Sequence, residues 1–94
     1  MSEDNVLVSI VIPHWNGIEI LSECLASLTK TSYHPYEIIV VDNCSKDGSQ
    51  RWIKNTYPNI TLIENSKNYG YAGGCNRGIQ NANGELVVFL NNDT

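Results

Sequence analysis

Four short runs rich in β-branched residues alternate with segments of helical spacing, and that alternation restricts the fold more than any other feature of the sequence. The runs are Val6 to Ile12, Glu37 to Val41, Ile60 to Glu64 and Glu85 to Leu90. They are apolar along most of their length and not at every second position, as in strands covered on both faces. Between them, Ile18, Leu21, Leu25 and Leu28 share one helical face; Asn16 stands as a capping side chain with Glu19 three positions on, and this helix should reach Thr29. A second helix opens at Asp47-Gly48-Ser49-Gln50, runs through Trp52, Ile53 and Tyr57 and stops before Pro58. Ala72, Cys75, Ile79 and Ala82 mark the packed face of a third, which Asn83-Gly84 ends.

Pro13 should close the first strand, because it has no N–H to give to a ladder. The expected fold class is α/β: a Rossmann-like βαβαβαβ unit, in which a mostly parallel four-stranded sheet carries helices on both faces and right-handed crossovers join the strands. A length of 94 residues admits one small domain, or part of a larger one. With 41% hydrophobic and 17% charged residues the chain has the composition of a packed globule and not of a disordered segment.

A net charge of -4 without any run of Lys or Arg argues against nucleic acid as a partner. Cys24, Cys44 and Cys75 are odd in number and lack a CxxC pair, so they read as reduced thiols, two of them core, and not as a disulfide framework or zinc site. The N-terminus carries acids where an export signal carries bases, and no apolar run approaches the roughly 20 residues of a membrane span. The expected location is cytoplasmic.

Parallel sheets of this kind bind ligands beyond the carboxyl ends of their strands. Polar residues and glycines gather at that rim: "PHWNG" follows strand one, "DNCSKDG" strand two, "NSKNYGYAGGCNRG" strand three and "NNDT" strand four. Asp42 is either an acceptor for ribose hydroxyls or a base N–H, or a turn acceptor inside its own loop; Asp47 reads as a helix cap. Four glycines between Gly70 and Gly78 either let backbone approach a ligand or serve a tight helix entry against the sheet. The segment is neither a dinucleotide fingerprint nor a P-loop. Arg77 either meets a phosphate or is a solvated side chain. Trp15 either stacks on a base or packs over the sheet edge, and His14 lacks an identified partner for general-base work. Asp93, flanked by amides, is a candidate ligand for a hard cation such as Mg2+ or Mn2+, against the alternative of a plain turn.

Taken together, "VSIVIPHWNG", "EIIVVDNCSKDGS", "NYGYAGGCNRGI" and "VVFLNNDT" resemble, in order and spacing, the N-terminal half of family 2 glycosyltransferases with the GT-A fold. The "NND" form is most similar to the rhamnosyltransferase-like branch. The resemblance implies a nucleotide-diphosphate-sugar donor, a divalent metal (Mg2+ or Mn2+), and inverting transfer of the sugar to an acceptor hydroxyl on a saccharide or lipid-linked molecule. It carries base contacts to Pro13 and Trp15, base or ribose binding to Asp42, and nucleotide lining to Gly73, Asn76 and Arg77. Ribose and metal binding fall to Asn91, Asn92 and Asp93, with Asp93 as the metal ligand. Asn91 stands where the family's common motif has an acid, so the metal should depend on the donor's own diphosphate.

The resemblance also implies that the general base lies beyond residue 94, which makes residues 1–94 the donor-binding part of a truncated domain, inactive alone. In the full-length protein this part would work in the cytoplasm, at the inner face of the membrane where the acceptor is lipid-linked. Two other readings are a sugar-nucleotide nucleotidyltransferase, which would want a glycine-rich basic loop after strand one in place of "PHWNG", and a non-catalytic nucleotide-binding module.

Overall fold

The computed structural model describes residues 6–30 and 35–91. In chain order the elements are β1 (Val8–His14), α1 (Ile18–Leu28), β2 (Tyr36–Asp42), α2 (Ser49–Thr56), β3 (Thr61–Glu64), α3 (Gly70–Asn81) and β4 (Leu86–Phe89). The sheet order is β3-β2-β1-β4, with every pairing parallel. This is the α/β Rossmann-like fold with helices on both faces that the strand pattern predicts.

Period-two alternation sends successive side chains to opposite faces, and each face finds its own cover. Ile10, Ile12, Ile38 and Val40 pack on one face against Leu21 and Leu25 of α1 and Ile53 of α2. Val11, Ile39, Val41 and Ile63 form the opposite face with Ala82 and Val87. There α3 crosses over β1, and it does so closely. A Cβ at Gly78 would stand 2.2 Å from Val11 Cγ1, and one at Gly74 would stand 2.8 Å from Pro13 Cβ. The buried residues of α3 are therefore Gly74, Cys75 and Gly78. Of the four residues expected on the packed face, Cys75 is buried and Ala82 packs against the core, while Ala72 and Ile79 are exposed; where α3 lies closest to β1, at Gly74 and Gly78, a Cβ has no room.

Two further expectations are corrected. Asn16 does not cap α1; Gly17 occupies that position with φ 96° and no side-chain cap. Of the cysteines only Cys75 is buried, Cys24 and Cys44 being half-buried. At the amino ends of the strands the connections are structural. Ser9 Oγ–H donates to Glu37, and Glu37 accepts from Asn83 N–H, while Gly84 N–H donates to Ser9 Oγ. Burial pulls the Glu37 carboxyl upward, but these bonds outweigh it and hold the group below its usual range.

Candidate functional site

Pro13 lies inside β1 and not beyond it, opposite Val41 in the β1–β2 ladder. That position shapes the rim. Asn43 N–H donates to His14 O on the β2 side, and Leu90 N–H donates to Val11 O on the β4 side. Backbone groups in a strand alternate sides, so residue 13 faces β4 like residue 11, and there proline has no hydrogen to offer. The β1–β4 ladder ends at the Val11–Phe89 pair, while the β1–β2 ladder continues to His14–Asp42. Strand order reverses between β1 and β4, the switch point at which open α/β sheets hold ligands. A hollow of about 210 Å³ opens there, lined by Pro13, His14, Trp15, Asn43, Asn68, Gly70, Tyr71 and Asn91.

The loops around it are laced together. Asp42 is fully buried. Its carboxylate accepts from Ser45 N–H, Ser45 Oγ–H and Gln50 Nε2–H, so in this structure both oxygens serve the loop that follows β2. Ser45 Oγ in turn accepts from Asn16 N–H, and Asn16 Oδ1 accepts from Lys46 N–H. Asn16 and Cys44 hold positive φ (54° and 65°), a strained backbone that this lacing sustains.

Asp47 bridges the two loops, accepting from Ser49 N–H at the start of α2 and from Gly17 N–H before α1. Burial pulls its carboxyl upward, but hydrogen bonds from Ser49 and Gly17 outweigh burial and hold it below its usual range. Ser49 Oγ–H also donates to Asp47, so Ser49 Oγ accepts from His14 Nε2–H at 2.9 Å. Burial pushes the His14 imidazole below its ordinary 6.5, against the upward pull of Asp42 and Asp47. His14 is thus a neutral ring with a partner, and it helps join the loops. A hydrogen bond with Cys75, and then burial, raises the Tyr71 hydroxyl above its ordinary value, so the rim presents it protonated.

The residues singled out in the sequence divide between two places. Pro13, Trp15 and Asn91 line the switch-point hollow, with Trp15 54% exposed. Gly73, Asn76 and Arg77 line a neighbouring hollow of about 420 Å³ with Asn65 and Tyr69. Arg77 Nε–H donates to Asn65 Oδ1. Asp42 lies beneath the rim. Asn92 and Asp93 fall outside the described residues.

Sequence reasoning missed Asn43 and Asn65, the buried amides that connect these places. Asn65 Nδ2–H donates to Asn43 Oδ1 at 2.8 Å. Their signal is slight, a polar residue directly after the last residue of a strand. Among the described residues no cluster of three or more His, Cys, Asp or Glu could hold a metal ion. No described helix is long and apolar enough to cross a membrane.

Comparison with known proteins gives consistent matches. The profile described as Glycosyl transferase family 2 matches residues 9–94. Glycosyltransferase AglE of Haloferax volcanii is 33% identical over 91 residues, which cover 92% of this chain and 30% of that protein. A poly(ribitol-phosphate) beta-glucosyltransferase of Bacillus spizizenii is 39% identical over 92 residues, covering 92% of this chain and 14% of that protein. Among solved structures, a mannosyltransferase from Pyrobaculum calidifontis in complex with GDP-Man and Mn2+ superposes with a TM-score of 0.85 at 29% identity, over 95% of this chain and 28% of that one. The chain spans less than a third of the length of each of these proteins.

Proposed function

Because the chain belongs to glycosyl transferase family 2, we propose that residues 1–94 form the donor-binding part of an enzyme that moves a sugar from a nucleotide-diphosphate donor to an acceptor hydroxyl. One observation carries this reading: the hollow at the β1–β4 switch point joins exposed aromatic surface to amide groups, with Trp15 and Tyr71 beside Asn68 and Asn91. Aromatic faces suit a base, and amides suit base edges and ribose hydroxyls. Arg77, Gly73 and Asn76 in the adjoining hollow extend the nucleotide site. Asp42 acts through the loop it organises.

In the proposed reaction the acceptor oxygen forms a bond to the sugar's anomeric carbon as the bond from that carbon to the diphosphate breaks. The configuration inverts, and the acceptor's proton passes to a carboxylate base beyond residue 94. The donor part alone is then inactive. The neighbour's complex with GDP-Man and Mn2+ supports a nucleotide sugar and a divalent cation. The relative named for poly(ribitol-phosphate) supports a polymeric acceptor; in our reading the transfer takes place in the cytoplasm, at the membrane's inner face for a lipid-linked acceptor. The "NND" motif supports the rhamnosyltransferase-like branch.

The chemistry of the donor set suits a hard cation. Asn91 lines the hollow, and Asn92 and Asp93 follow it in sequence. Asp93 would hold Mg2+ or Mn2+ together with the diphosphate, with Asn91 and Asn92 toward the nucleotide, and the ion would neutralise charge on the departing diphosphate. Calorimetric titration of the chain with UDP, dTDP and GDP, with and without Mn2+, tests the reading. At least one diphosphate should bind, and more tightly with Mn2+; Asp93→Ala should remove mainly the metal-dependent part. Absence of binding by all three overturns it.

A further inference from the structure

Asn43 is 3% exposed, and its polar groups reach three other segments of the rim. Its backbone N–H continues the ladder to His14 O after β1. Its Oδ1 accepts from Asn65 Nδ2–H after β3, and from Tyr69 N–H where α3 begins. Its Nδ2–H donates to Gly70 O at 3.2 Å. Gly70 has φ +78°, and a Cβ added at Gly74 in the next turn would meet both Pro13 Cβ (2.8 Å) and Asn43 Nδ2 (3.3 Å). One side chain therefore sets how the start of α3 stands against the end of β1. Pro13 and Gly70 both line the switch-point hollow, one from the end of β1 and the other from the start of α3.

We propose that Asn43 is a positioning residue for the donor: its amide fixes the spacing between the Pro13–Trp15 wall and the Gly70–Tyr71 wall, and so sets the width of the nucleotide site. This inference rests on the donor-site reading above. The position requires an amide because it must accept from two N–H donors and give a hydrogen to a carbonyl. A carboxylate keeps both acceptor bonds and loses the donor, placing an oxygen against Gly70 O. An alanine loses all of the side-chain bonds and leaves the buried amide of Asn65 and the backbone groups of Tyr69 and Gly70 without their partner.

The test uses the whole chain with Asn43→Ala and Asn43→Asp, read by amide hydrogen exchange residue by residue and by calorimetric titration with UDP and GDP. The expected result in Asn43→Ala is exchange at Tyr69 through Gly74 faster by roughly tenfold, with the amides of β1, β2 and α1 unchanged. Asn43→Asp should retain protection at Tyr69 and still bind nucleotide more weakly than the parent. Unchanged exchange at residues 69–74 in Asn43→Ala overturns the proposal. So does faster exchange spread evenly over the chain, which is what a merely structural residue would give. Should the parent bind neither diphosphate, the donor reading fails, and the exchange pattern alone decides whether Asn43 positions these two walls.

Discussion

Pro13 acts through a hydrogen it lacks. It shares Val11's side of β1, so a residue with an N–H there would aim it toward β4 and lengthen that ladder toward Leu90 O. Pro13→Val should therefore leave thermal stability equal or raised, by up to about 1 kcal/mol, while it narrows the hollow and weakens nucleotide binding; calorimetry on the variant checks both. His14 gives a prediction with a definite sign. Its folded-state pKa lies below the ordinary 6.5, so the unfolded chain takes up protons first as pH falls. The stability it contributes is complete above about pH 6.5 and is lost as pH drops through the folded value. Melting temperature should fall as pH drops from about 7 through the folded value, and His14→Gln, which keeps an N–H for Ser49, should flatten that fall; an equally steep fall in the variant contradicts the assignment. At this scale the sequence was partly legible. Spacing put Asp42, Pro13 and Trp15 on one rim, but it left open whether Asp42 faces a ligand or its own loop. The choice depends on Ser45 and Gln50, whose reach only folding determines.

At the scale of elements, the strands were legible because each is a dense β-branched run, and they differ from expectation only at the ends. The face of α3 was legible in part. Apolar spacing marked Cys75 and Ala82, which do pack, but also Ala72 and Ile79, which are exposed; it passed over Gly74 and Gly78, because a missing side chain leaves no hydrophobic signal. This has a measurable consequence. Gly78→Ala would drive a methyl to 2.2 Å from Val11 Cγ1, and relieving that clash should cost about 1–3 kcal/mol in urea unfolding. Gln80→Ala on the exposed side of the same helix should cost little, within about 0.5 kcal/mol. Equal stability of Gly78→Ala and the parent would mean that α3 does not lie against β1 as described. The same close approach brings Gly74 of α3 against Pro13, so the packing that stabilises the sheet also shapes the site.

At the scale of the molecule, β4 pairs only with β1 among the described residues, and Leu86, Val88 and Phe89 are 58%, 43% and 38% exposed. An apolar groove of about 350 Å³ lies alongside, lined by Val8, Ile10, Leu28, Tyr36, Leu86, Val88 and Leu90. Open apolar edges associate. The isolated chain should show concentration-dependent self-association in sedimentation velocity, and Val88→Lys should suppress it. The central claim is that the loops closing β1 to β4 meet as one nucleotide site at the carboxyl rim of the sheet. Mapping amide chemical shifts of the labelled chain during titration with UDP or GDP and Mg2+ tests this most directly. The account predicts perturbations concentrated at residues 14–17, 42–45, 68–77 and 91–94, with Mn2+ then broadening the signals nearest Asp93. Perturbations centred on the opposite rim, around residues 57–60 and 83–85, or none at saturating nucleotide, would contradict it.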